Sequence, residues 1–161
     1  MNLLRPCLKL DSVFDINADD LVAKGINSLI IDLDETLIPK DMKKFSIDII
    51  KWVEHFKSKG FKICITSNSI RSWRVNKFAG ELDLPSTYLS LKPLPWAFKH
   101  ALKVLKNKPE HTAMVGDQLF TDILGGNLNG IYTIMVKPMS PEKFLLRKLL
   151  RAIENFLLNR L

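Results

Sequence analysis

The sequence predicts an α/β fold in which a central parallel sheet carries helices on both faces, and three observations lead there. Short apolar runs alternate with stretches of helical spacing from residue 27 onward. The runs are apolar throughout rather than at every second position, as expected of strands buried on both faces. Polar residues gather just after the runs, where ligands bind in sheets of this kind.

Asn27 to Leu33 (NSLIIDL) is the first run, too short for a helix and rich in Leu and Ile. Ser46 to Lys59 follows with Ile49, Ile50, Val53 and Phe56 on one helical face, Ser46 as N-cap and Gly60 as stop. Phe61 to Ile65 reads as a strand, Arg71 to Phe78 as a helix, and Thr87 to Ser90 as a short extended piece. Pro95 fits the first turn of a helix that runs to Asn107. Thr112 to Val115 leads into a Gly-Asp turn, Leu119 to Asn129 reads as a helix ended by Gly130, and Ile131 to Val136 as the last strand. This order of strand and helix implies parallel pairing.

At 161 residues the chain has the length of one domain, and 47% hydrophobic residues suffice for a core without cross-links. Charged residues make up 25%, which argues against disorder. Two cysteines exclude a disulfide framework and a multi-cysteine metal cluster, and a reducing, cytoplasmic setting is the default expectation. Residues 1–10 lack the apolar stretch of a secretory signal, and no run approaches the length of a spanning helix. The net charge of +7 and pI of about 9.5 point to an acidic partner, with nucleic acid, anionic lipid and phosphorylated metabolites all open.

The residues after the runs are Asp32 and Asp34, then Thr66, Ser67 and Asn68, then Lys92, then Asp117 and Asp122. Carboxylates brought together at one rim repel each other unless a cation lies between them. Oxygen donors of this kind suit Mg²⁺. A carboxylate also serves as nucleophile in phosphoryl transfer while a second acid protonates the leaving oxygen. His55, His100 and His111 stand singly, without metal-ligand spacing. Arg71, Arg74 and Lys77 read as a solvated helix face, with reach toward an acidic substrate as the alternative, and Cys64 as a small buried hydrophobe.

Asp32-Leu33-Asp34-Glu35-Thr36 resembles the first motif of haloacid dehalogenase-like (HAD) phosphatases, and three further motifs follow in order. Ile63-Cys64-Ile65-Thr66-Ser67-Asn68 is similar to the second, Lys92 before Pro93 to the third, and Gly116-Asp117-Gln118-Leu119-Phe120-Thr121-Asp122 to the fourth. Arg5-Pro6, the Ser12-to-Ile16 segment and Gly125-Gly126-Asn127 extend the likeness to the YqeG-type branch of HAD subfamily IIIA, over nearly the whole chain. The resemblance implies a Rossmannoid three-layer α/β/α fold and, through relatives of that branch, dephosphorylation of phosphatidylglycerophosphate. It also implies roles. Asp32 would be the nucleophile and Asp34 the acid and later base. Ser67, or Thr66 in a shifted register, would bind the phosphoryl group together with Asn68 and Lys92. Mg²⁺ would be held by Asp32, the Asp34 carbonyl and Asp117. Thr36 and Asp122 would support the site, Asp122 by orienting the loop or Lys92. Glu35 departs from the Asn usual in that branch, at a position that points away from phosphate.

Between Asp32 and Ser67 lie 34 residues, and between Ser67 and Lys92 there are 24; each gap is consumed by one helix and its connections. Neither has room for the cap domain that excludes water in many relatives, so the expectation is a capless single domain, 1–161, with an open site for a phosphate on something large. At about 141–160 Leu145, Leu146, Leu149, Leu150, Ile153, Phe156, Leu157 and Leu161 follow helical spacing, and six basic residues against two acidic ones from Lys137 onward place +4 of the +7 there. Such a basic amphipathic helix either lies on an anionic membrane surface or packs on the core. The combined expectation is a peripheral membrane phosphatase of an anionic phospholipid, with no nucleic-acid partner and the oligomeric state left open. A phosphoprotein or polynucleotide 3′-phosphate is the alternative substrate, and a non-catalytic HAD-fold binding module the third reading.

Overall fold

A computed structural model describes residues 3–88, 90–141 and 145–158. Six parallel strands run β1 (Leu8–Leu10), β2 (Ser28–Asp32), β3 (Lys62–Thr66), β4 (Ser86–Thr87), β5 (Thr112–Gly116) and β6 (Tyr132–Val136), in the spatial order β1-β6-β5-β2-β3-β4. The helices are α1 (Ala18–Ala23), α2 (Ile47–Ser58), α3 (Ser72–Glu81), α4 (Pro95–Leu105), α5 (Leu124–Leu128) and α6 (Leu145–Leu158). This is the expected α/β architecture, with β2 and β5 at the centre and the chain reversing direction across the sheet between them.

Strand alternation sorts the core into two layers. Leu29, Ile31, Ile63, Ile65, Ala113 and Val115 point to one face and pack with α2 and α3 through Ile49, Val53, Phe56, Val75 and Phe78. Ile30, Cys64 and Met114 point to the other and meet Phe98, Ala101, Leu102 and Leu105 of α4. Fully buried Phe56, Phe78 and Phe98 anchor the two layers, each worth about 2–3 kcal/mol in area removed from water.

Ser46 caps α2 as expected, its hydroxyl accepting from Ile49 N at 3.3 Å. Three elements differ from the sequence reading. Leu8–Leu10, left unassigned there, forms the edge strand β1 on β6, and Asn127 Nδ2 ties down the preceding chain by donating to Leu3 O and Arg5 O at 2.7 and 3.0 Å. The short helix α1, also unassigned, starts at Asn17, whose Oδ1 accepts from Asp19 N and Asp20 N. The single helix expected over 119–129 is a π-helical turn, Leu119–Ile123, followed by α5. The widened turn lets the Asp122 carboxylate fold back onto Gln118 N.

Candidate active site

All six strands are parallel, so their carboxyl ends lie at one edge of the sheet, and the expected site residues converge there. Asp32 ends β2; Ser67 and Asn68 follow β3; Asp117 follows β5. They border an open cleft of about 430 Å³ whose walls include Asp32, Asp34, Ser67, Asn68, Lys92 and Gln118. Asp32, Asp117 and Asp122 are buried, and one oxygen from each lies within 4.8 Å of the others.

Lys92 reaches into this cluster from the loop after β4. Its Nζ donates to Asp32 Oδ1 and lies 2.7 Å from Asp122 Oδ1. Asn68 fixes the lysine from behind: its Oδ1 accepts from Lys92 N at 2.8 Å and its Nδ2 donates to Lys92 O at 3.1 Å. Burial pushes the Asp32 carboxyl well above its ordinary range, against the pull of Lys92 and with a further push from Asp122 and Asp117. For Lys92 burial favours the neutral amine, but Asp122 and Asp32 outweigh it and hold the ammonium above its usual pKa. Three buried carboxyl groups thus lie together, two of them in contact with the Lys92 ammonium. A buried set of carboxylate oxygens within 4.8 Å of one another fits a hard divalent cation such as Mg²⁺.

Asp34 stands apart from that cluster. Arg74 Nε donates to its Oδ1 at 3.2 Å, while Nη1 and Nη2 donate to the carbonyls of Met42 and Pro39 at 2.9 and 3.2 Å. Arg74 is buried, which corrects its reading as part of a solvated face; Arg71 is exposed as read. Sequence spacing gave little signal for this pair, because a lone Arg in the first turn of α3 looks like any helical surface residue.

Of the two hydroxyls left open after β3, Ser67 borders the cleft, whereas Thr66 belongs to a buried chain beneath it. In that chain Thr87 Oγ1 donates to Thr66 Oγ1, Thr66 to Ser90 Oγ, and Ser90 to Ser67 O at 2.7 Å. Thr36 Oγ1 lies 3.5 Å from Asp117 Oδ1, and Asp122 Oδ2 accepts from Gln118 N at 3.1 Å. Asp122 sits so close to Gly116 that a Cβ there would overlap its carboxylate, so the glycine is required. Glu35 turns away from the cleft: Oε1 accepts from Lys40 N at 3.0 Å, and Oε2 from the Ser140 hydroxyl and, at 2.8 Å, from Ser140 N. Gln118 and Thr121 also border the cleft and were not singled out from sequence. The Thr121 hydroxyl is buried without a hydrogen-bond partner among the described residues.

The profile of the haloacid dehalogenase-like hydrolases matches residues 10–130, a span that begins at the last residue of β1 and contains the whole constellation. The chain belongs to that family. Its relatives include the probable phosphatase YqeG of Bacillus subtilis (strain 168), 35% identical over 150 residues that cover 93% of this chain and 87% of that protein. Solved structures share the fold. A protein from Listeria monocytogenes serotype 4b superposes with a TM-score of 0.59 at 19% identity, over 84% of this chain and 100% of that one. The cobalt-bound deoxy-D-mannose-octulosonate 8-phosphate phosphatase of Haemophilus influenzae gives 0.55 at 12% identity, over 84% and 89%. In this HAD phosphatase the interval from Asp32 to Ser67 holds α2 and its connections, with no inserted domain over the cleft.

The last helix is tied to the site. Glu154 of α6 is buried, and its Oε1 accepts from Leu119 N at 3.0 Å and Phe120 N at 3.3 Å, the first donors after Asp117-Gln118. Leu157 and Leu158 pack beside Leu119, Ile123 and Met135. The helix therefore docks by one edge, and Leu149, Leu150, Ile153 and Phe156 stay exposed. No helix among the described residues is long and apolar enough to cross a membrane.

Proposed function

We propose that this HAD phosphatase is a capless, Mg²⁺-dependent enzyme of the YqeG-type branch of subfamily IIIA that hydrolyses phosphatidylglycerophosphate to phosphatidylglycerol at a membrane surface. The observation that carries the reading is the buried Asp32, paired with Lys92 and faced by Asp117 and Asp122, at the wall of a cleft of about 430 Å³.

The Asp32 carboxylate attacks phosphorus, forming an aspartyl-phosphate as the bond to the glycerol oxygen breaks. Asp34 gives that oxygen its proton, then takes one from the water that attacks the phosphorus, which frees phosphate and regenerates Asp32. Arg74 holds the Asp34 carboxylate in position for both transfers. Ser67 and Lys92 bind the phosphoryl oxygens, where charge is spread in the transition state. Asn68 serves through the Lys92 backbone and Asp122 through the Lys92 ammonium. Asp32, Asp117 and the Asp34 backbone carbonyl would hold Mg²⁺, which supplies positive charge to the phosphoryl oxygens when bound. The exposed strip of α6 with Lys148 beside it, and the basic C-terminal composition, support a lipid-borne substrate.

Phosphate release from phosphatidylglycerophosphate in mixed micelles tests the reading, with chelation and readdition of Mg²⁺ and with an Asp32→Asn variant. Loss of release on chelation and in the variant is expected. Full activity of Asp32→Asn would remove the mechanism, and faster turnover of a phosphopeptide or a 3′-phosphorylated oligonucleotide would replace the substrate.

A further inference from the structure

We infer that the mouth of the cleft is itself a membrane-docking collar, built from apolar loop tips at the carboxyl edge of the sheet and fitted to an anionic bilayer. The inference rests on the lipid reading of the site and assigns the surface that delivers such a substrate to it.

The collar follows from where exposed apolar side chains fall along the chain. In three loops an exposed apolar residue stands directly beside a residue that borders the cleft. Met42 (54% exposed) follows Asp41, Ile70 (79%) lies between Ser69 and Arg71, and Leu91 (49%) precedes Lys92. Trp73 (65%), next to Arg74, adds an indole on the first turn of α3. Met139 (44%) joins from the strand-end segment after β6, where its N–H donates to Glu35 O at 3.0 Å beside Asp34. A single exposed apolar residue is ordinary, but their recurrence beside cleft residues in successive loops points to a contact surface.

Charge selects the occupant. Lys40, Lys43, Lys44 and Arg71 are interleaved with these tips, against Asp41 beside them and Asp34 and Glu35 further back in the same loops, where Asp34 meets Arg74 and Glu35 is turned onto the Lys40 and Ser140 backbone. Apolar and aromatic tips that insert at the headgroup level, flanked by Lys and Arg, fit an anionic lipid surface. Seated on these tips, the protein points its cleft at the bilayer, and a phosphate borne on a lipid headgroup meets Asp32 without leaving the membrane. The collar is separate from α6, which Glu154 ties to the turn after β5.

The test uses the full chain with an Ile70→Ser/Trp73→Ser variant, both positions being exposed and outside the catalytic set. Co-sedimentation is measured with vesicles of phosphatidylcholine alone and of equal parts phosphatidylcholine and phosphatidylglycerol. The collar predicts binding to the mixed vesicles that weakens with salt, and a loss of about tenfold or more in the variant, while turnover of a soluble aryl phosphate is unchanged. Binding within twofold of the unaltered chain overturns the collar, as does an unaltered chain that stays in the supernatant, which would leave the tips to a protein partner. The substrate reading fails separately: vesicle binding that depends on Ile70 and Trp73, without phosphate release from the lipid, keeps the collar and removes the lipid monoester as substrate.

Discussion

The two edges of the sheet are built to different rules. At the amino edge helices return to strands through short turns, and Gly25, Gly60 and Gly130 occupy left-handed positions there, with Asp83 and Lys106 beside them in the same role. At the carboxyl edge the connections 33–46, 67–71, 88–94 and 117–118 hold the site, and the left-handed residues are Glu35 and Leu91. One follows Asp34 and the other precedes Lys92. A side chain held left-handed costs roughly 1–2 kcal/mol, which the hydrogen bonds of Glu35 to Lys40 and Ser140 offset locally. Size does not separate the edges. The amino edge carries the larger concavity, a shallow groove of about 760 Å³ lined by Lys99, Lys103, Lys106, Lys108 and His111, but no carboxylate borders it. The lesson is that chemistry follows aimed, buried charge at the strand ends rather than volume.

The sharpest way to break this comparison is to remove charge at each edge. Asp32→Asn should lower phosphate release by roughly ten-thousandfold, while Lys103→Gln in the opposite groove should leave it unchanged. A smaller loss, of about ten- to a hundredfold in kcat, is expected for Arg74→Gln, because Asp34 loses the group that orients it. Arg74→Lys should restore little of it, since an ammonium cannot reach Asp34 and the Met42 and Pro39 carbonyls together.

Cys64 tests burial within the sheet. Desolvation pushes its thiol up from 9.0 to about 12, so it stays protonated and unreactive in the fold at neutral pH. Alkylation of the native chain should therefore modify the exposed Cys7 alone. Because the folded pKa lies above the unfolded one, the stability tied to the neutral thiol is full below pH 9 and is lost as pH climbs toward 12. The smallest effects contrast the two kinds of turn. Gly60→Ala should cost about 1 kcal/mol, and Leu91→Gly should cost nothing or stabilise by a similar amount, both read from urea unfolding.

Elements with a complete local signal were legible in the sequence. β2 is an unbroken apolar run and α2 has a cap, a stripe and a stop, so both emerged near their observed bounds. The motif residues were legible because strand ends bring short polar strings together without any need for tertiary detail. β1 was missed because three residues with Lys9 in the middle carry no periodicity, and its pairing with β6 is 126 residues away in the chain. The π-helical turn escaped because Leu119 to Asn129 has ordinary helical spacing, and only the contact of Asp122 with Gln118 and Lys92 shows the turn's wider bore. Arg74 was read as solvated and Glu154 was passed over for one reason: each is a charged residue on an amphipathic helix, and each is buried by a partner about 35 to 40 positions distant.

The Glu154 contact also sets an order of assembly. The strands that form the sheet are all made by residue 136, yet the two backbone donors that open the turn after Asp117 are met by a carboxylate 35 positions further along. A nascent chain can lay down its hydrophobic layers while the tail is still in the ribosome. The loop that carries Asp117 gains these partners only when α6 has emerged and closed over it, so the catalytic edge is completed after the sheet beneath it.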